Sequence, residues 1–175
     1  MIVLDACMII SFGNAGRLDL IAGLRLDSVC VSARARAEVV RDPARAAMEA
    51  SIAAGRLSVI SIDLDNAAEQ DALRDFDARP AFRGRGDAEV LALAACRGYI
   101  LASDERAMRS VVREQWGAQR LAGTADFVVW AVREGRIEIG EAEYVLAQLD
   151  SGAAVLSALE RQGRTLGDFI QKAEP

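Results

Sequence analysis

Over most of the chain, short apolar runs alternate with segments whose apolar positions recur every three or four residues. Residues 1–4 form a continuous apolar run that ends on Asp5, the pattern of a strand buried on both faces. Segments 6–12 and 18–24 carry helical spacing and are separated by the turn Gly13-Asn14-Ala15-Gly16. Residues 28–31 read as a second strand, after which Ser32 caps a helix running through Arg34, Glu38 and Val39 toward Pro43. A helix over 45–54 stops at Gly55, 57–62 is a third strand, and an acidic helix covers 66–76. Pro80, Gly84 and Gly86 mark the clearest loop, 77–86, before a helix over 87–98. A strand over 99–102 ends at Ser103-Asp104. It leads to a helix over 105–116, a short strand at 120–122, and the turn Gly123-Thr124 into a helix over 125–134.

This alternation predicts an α/β fold with a central, mostly parallel sheet covered by helices on both faces. Beyond Gly135 the pattern turns purely helical, over 140–150 and 153–162 with a tail at 165–173. The expected organisation is a domain over 1–134 and a helical extension over 135–175, packed on that domain or on a partner. The stripes Phe127, Trp130, Ala131 and Val145, Leu146, Leu149 read first as core, with a homodimer or partner seam as the alternative.

Composition narrows the chemistry more than the fold. The chain has 175 residues, 52% apolar and 27% charged, which is enough to bury roughly two-thirds of its unfolded surface. No apolar run approaches the ~20 residues of a membrane span and no basic leader precedes an apolar one, so a cytoplasmic protein with no membrane association is expected. Histidine is absent, which excludes Ser-His-Asp and Cys-His catalysis and histidine-ligated zinc. Cys7, Cys30 and Cys96 are scattered among apolar neighbours and read as reduced, buried thiols. What remains is chemistry by carboxylates, arginines, hydroxyls or a metal held by oxygen.

In an open α/β sheet, ligands bind outside the carboxyl ends of the strands. The residues placed there are acidic: Asp5 after the first strand, Glu38 in the helix after the second, Asp87 opening the helix after the glycine-rich loop, and Asp104 closing the next strand. Singly, Asp87 reads as a helix cap and Glu38 as a solvated helix residue. Together, four carboxylates converging on one sheet edge repel one another unless a cation sits among them. Oxygen ligands without His or Cys select Mg²⁺ or Mn²⁺. Asp87 and Glu89 lie within one turn on a helix apolar on both faces, so periodicity leaves the third position open between them; the helix start favours Asp87. Asp126, three residues after Gly123, is a further candidate and equally a cap.

MIVLDACMII at 1–10, EVV at 38–40, GDAEVLALA at 86–94 and ILASD at 100–104 resemble, in order and spacing, the motifs of PIN domains. The similarity covers roughly residues 1–134, and the GDAE element with the Gly123-Thr124 turn resembles a nucleic-acid-binding branch of that family. The resemblance implies a three-layer α/β/α domain with a metal-dependent nuclease site. Its acidic quartet, here Asp5, Glu38, Asp87 and Asp104, would bind one or two divalent cations that activate water for phosphodiester hydrolysis. The chain departs from many PIN domains by having Ala6 and Cys7 where Asn, Ser or Thr commonly follows the first Asp.

The family includes VapC-like toxins. The resemblance therefore further implies a ribonuclease toxin of a type II toxin–antitoxin pair, acting as a homodimer and neutralised by an antitoxin protein. The alternatives are a catalytically silent PIN-like module that binds RNA or protein, and an unrelated Mg²⁺ hydrolase. Hydrolases of that second kind commonly carry a DxD pair, which Asp5-Ala6-Cys7 lacks. With 21 basic and 26 acidic residues the net charge is −5, which argues against tight, sequence-independent duplex binding. All but one of the basic residues are arginine. Arg34, Arg36, Arg83 and Arg85 lie close in sequence to the acidic candidates, as a docking surface for RNA phosphates would require, although ordinary surface ion pairs are the equal alternative.

Overall fold

The computed structural model describes residues 1–23 and 28–172. Residue 24, the end of the second expected helix, and residue 173, the end of the expected tail, lie outside the described residues. Five short strands form one all-parallel sheet in the order β3-β2-β1-β4-β5: β1 (Ile2–Leu4), β2 (Val29–Ser32), β3 (Ser58–Ile60), β4 (Ile100–Ala102) and β5 (Leu121–Ala122). Register is set at the centre, where Val3 lies opposite Cys30 on one side and Leu101 on the other. Consecutive side chains on a strand point to opposite faces. Ile2, Val3 and Leu4 are all buried, so both faces of β1 are covered, as the expected α/β/α layering requires.

The helices follow the sequence closely: α1 (Ala6–Asn14), α2 (Asp19–Ala22), α3 (Ala33–Glu38), α4 (Ala44–Ala53), α5 (Ala67–Asp77), α6 (Gly86–Arg97), α7 (Arg106–Gln115) and α8 (Thr124–Arg133). Ser32 Oγ accepts the Ala35 N–H and starts α3. Asn66 caps α5 in the same way, on the N–H groups of Ala68 and Glu69. Residues 86–94 of α6 are buried without a break, because this helix lies across β1, β2 and β4 while α3 and α5 pack on it. That placement explains why its sequence is apolar all round. It ends at Gly98, whose φ of 70° is the left-handed conformation that a helix C-terminus favours.

Three of the boundaries that differ from the sequence reading bear on the packing. The helix after β2 stops at Glu38 because Val39 turns sharply (φ −81°, ψ 79°) and the Val40 N–H bonds the Glu38 carbonyl, an inverse γ-turn. The third strand shrinks to three residues at the sheet edge, with Leu57 and Ile62 buried on either side of it. Arg120 closes a 3-10 turn (Ala118–Arg120) instead of opening β5; its guanidinium lies over the Trp116 ring, 5.0 Å from the centroid, and bonds the Tyr99 carbonyl. Among the cysteines, Cys30 is buried as expected, Cys7 is half-buried, and Cys96 is exposed.

Among the described residues three further helices follow: α9 (Ile139–Gln148), α10 (Gly152–Arg161) and α11 (Leu166–Lys172). Val145, Leu146, Leu149, Leu159, Leu166 and Ile170 join the same buried cluster as the sheet residues, with α9 packed on α8. Phe127 and Ala131 are fully buried there too, so both apolar stripes are used inside the chain. Polar ties run back to the N-terminus: Arg17 Nη1 reaches Glu141 Oε1 at 2.7 Å, and the Asp150 N–H bonds Ser11 Oγ at 3.1 Å. Among the described residues no helix is long and apolar enough to cross a membrane.

The chain runs outward from β1 through β2 to β3, then returns to the other side of β1 as β4. The strand order therefore reverses between β1 and β4, and a crevice opens beyond their carboxyl ends. The close packing of α1 on α4 has a direct test, since a Cβ on Gly13 would lie 2.6 Å from Ala44 Cα. Gly13→Ala should lower the unfolding free energy by roughly 1–3 kcal/mol, read as a lower urea midpoint at unchanged m-value.

Candidate metal centre

Asp5 leaves β1 at the crevice, with its N–H bonded to the Ala102 carbonyl of β4 at 3.0 Å. Two donors converge on one of its oxygens: Cys7 Sγ at 2.9 Å and Ser103 Oγ at 2.8 Å from Oδ2. Cys7 thus does what a hydroxyl or amide would do at that position. Burial, and then the Asp5 charge beside it, push the Cys7 thiol far above its ordinary value, so it stays protonated and donates. Ser103 also accepts the Glu105 N–H at 3.0 Å, which ties the end of β4 to the same carboxylate.

Glu38 reaches the crevice from the end of α3, where Oε1 accepts the Gly86 N–H at 2.7 Å. Only glycine allows this approach. A Cβ on residue 86 would lie 2.9 Å from the Ala35 backbone nitrogen and 3.2 Å from Glu38 Cδ. Asp87 follows in the first turn of α6 and is 4% exposed. Its Oδ2 is buried without a hydrogen-bond partner, and the nearest cation, Arg85 Nη1, is 3.6 Å away. Burial raises its pKa to about 7, with the charges of Asp5, Glu105 and Glu38 adding to the effect and Arg85 opposing it.

The pocket is lined by Asp5, Ala6, Cys7, Ile10, Glu38, Arg85, Asp87 and Glu105 and encloses about 330 Å³. Asp5, Asp87 and Glu105 each offer an oxygen within 4.8 Å of the others. The structure therefore brings together three of the four acidic candidates, Asp5, Glu38 and Asp87, and sets Glu105 beside them. Asp104 does not line the pocket. Its Oδ1 accepts the Thr124 N–H at 3.1 Å, its Oδ2 accepts the Thr124 hydroxyl, and Arg109 Nη1 stands 3.8 Å from it. Asp104 is thereby turned toward the start of α8, while the next residue, on extended backbone, faces the crevice.

The two acids of the GDAE element have different surroundings. Glu89 Oε2 accepts the Arg34 N–H at 2.8 Å and so fastens α6 to the first turn of α3, leaving Asp87 for the pocket. Asp126 Oδ2 accepts the Gly123 N–H at 2.8 Å as a cap of α8 and does not line the pocket; burial raises its pKa. Of the arginine candidates, Arg36 is committed to a two-pronged pair with Glu49 at 2.9 and 2.7 Å. Arg83 reaches the Ala78 carbonyl at 3.5 Å, and the Arg34 side chain is exposed. Arg85 alone of these lines the pocket.

An oxygen-only set of carboxylates around a buried, unpartnered carboxylate oxygen fits a hard divalent cation. Asp5, Asp87 and Glu105 are the residues placed to hold it, with Glu38 at the rim.

A family model described as a PIN domain matches residues 1–161. No curated protein and no solved structure matches the chain.

Asp87 makes the metal-free protein sensitive to pH. Between its ordinary value of 3.8 and about 7, the folded state keeps a proton that the unfolded state has released. Stability in chelator should therefore fall as pH rises through that window, by about 1.4 kcal/mol per unit at most, and level off above it. Asp87→Asn should flatten the profile in urea titrations from pH 4 to 8. A variant profile parallel to wild type would refute the assignment.

Proposed function

The chain belongs to the PIN domain family, and from that premise we propose that it is a divalent-metal-dependent endoribonuclease, the toxin of a type II toxin–antitoxin pair. PIN domains are generally nucleases. The observation that supports the reading here is the cluster of Asp5, Asp87 and Glu105 at the reversal of strand order, with Asp87 Oδ2 buried and unpartnered. A bound Mg²⁺ or Mn²⁺ supplies charge stabilisation at the phosphodiester and acidifies an attacking water. Cys7 and Ser103 fix Asp5, the Gly86 N–H fixes Glu38, and Ser103 orients the backbone that carries Glu105. Such preorganised ligands need no rearrangement as charge develops, which is where electrostatic catalysis gains most.

A single-stranded RNA substrate suits the charge distribution. The net charge of −5 opposes extended phosphate neutralisation, while the exposed Arg34 and Arg85 flank the acidic residues. The proposal extends to a homodimer and to neutralisation by an antitoxin protein. Val40, Leu64 and Tyr144 are 65%, 77% and 67% exposed and offer apolar contact area for partners.

Calorimetric titration with Mn²⁺ or Mg²⁺ tests the centre. Wild type should bind in the low-millimolar range or tighter. Asp5→Asn and Glu105→Gln should lose binding and reduce RNA cleavage by roughly 10²–10³-fold. Asp104→Asn should keep its metal affinity but lose about 1 kcal/mol of stability through the weakened cap of α8. Wild type without metal binding would leave a PIN-like scaffold that binds RNA or protein without turnover.

A further inference from the structure

Among the described residues, Arg85 is the single cation lining the acidic pocket. It stands at the N-cap of α6 on extended backbone (φ −106°, ψ 161°), with its side chain 58% exposed. One nitrogen, Nη1, lies 3.6 Å from Asp87 Oδ2 and 3.5 Å from Glu105 Oε1. Arg85 thus bridges two of the three carboxylates that share the cluster. Both contacts are long, since a guanidinium in full contact with a carboxylate sits at about 2.8 Å. Arg85 therefore offsets the charge of Asp87 without satisfying its buried oxygen.

We propose that Arg85 is the resident counter-cation of this pocket: a divalent ion displaces its guanidinium from Asp87 and Glu105, and the displaced guanidinium then binds the phosphate of the substrate. The inference rests on the metal-dependent nuclease reading and adds the residue that couples metal uptake to phosphate capture. A divalent ion ligated directly by carboxylates outcompetes a half-exposed monovalent pair, which is worth little on its own. The exposed side chain can swing through its own torsions while the buried first turn of α6 stays fixed. The pocket's 330 Å³ accommodates an ion, several waters at about 30 Å³ each, and a phosphate group. Once clear of the carboxylates, the planar fork matches two phosphate oxygens, a geometry that lysine cannot reproduce.

The competition gives opposite signs on removal of the arginine. With the full-length protein, Arg85→Gln should bind Mn²⁺ about three- to tenfold more tightly by calorimetry. The same variant saturated with Mn²⁺ should bind adenosine 5′-monophosphate about tenfold more weakly. Arg74→Gln removes the same charge from the exposed face of α5, where the guanidinium pairs with Asp71, and should move neither affinity by more than about twofold. Circular dichroism melts check that each variant is folded. Wild type that takes up no Mn²⁺ overturns the metal-centre reading itself. Wild type that binds Mn²⁺, with Arg85→Gln unchanged or weaker, overturns the role of Arg85 alone. Equal shifts in Arg74→Gln and Arg85→Gln do the same, because they reduce the effect to overall charge.

Discussion

Carboxylates brought within a few ångströms of one another at a partly buried sheet edge repel, and the scaffold has to hold them there against that repulsion. Asp5, Asp87 and Glu105 come from three separate elements, and none could stay in place by its own local structure. The neutral groups around them are committed to positioning: a thiol and a hydroxyl on Asp5, a backbone N–H on Glu38. Asp87 Oδ2, buried, receives no such donor, and Asp87 carries the raised pKa. The strands are only two to four residues long, yet they are buried on both faces around β1. A rigid centre matters more here than a large sheet, since the site depends on the ends of β1 and β4 staying in register.

Most of this was legible in the sequence because the strands are continuous apolar runs and the helices carry clear stops, such as Gly55 and Gly98. Asp5, Glu38 and Asp87 were legible because strand ends and helix starts are predictable positions. Glu105 carries no such signal. Asp104 and Glu105 are adjacent, and which of two consecutive acids faces a crevice depends on the backbone direction after β4 and on a competitor for the other. That competitor is the N-terminus of α8, with Thr124 as donor, some twenty residues on. The signal available in advance was the tandem itself, followed later by a Gly-Thr helix start in need of a cap.

The same logic separates Asp87 from Glu89 and Arg36 from Arg85. Each choice was decided by a partner distant in sequence: the Arg34 N–H for Glu89, and Glu49 for Arg36. Periodicity reports which face of a helix is covered, not which element covers it. On α6, buried all round through its first nine residues, it has nothing left to discriminate. Cys7 departs in sequence from the usual residue types, and its role as a donor to Asp5 Oδ2, shared with Ser103, follows from the fold.

The central position of β1 also governs when the centre can exist. Asp5 is made well before Ser103, which holds it and lies 98 residues further along the chain. At 5–20 residues per second, roughly 5–20 s of synthesis separate the two. Through that interval the growing polypeptide carries Asp5 without Glu105, and β1 without its β4 neighbour. The carboxylate cluster can therefore assemble only after β4 has been made, however early β1 emerges.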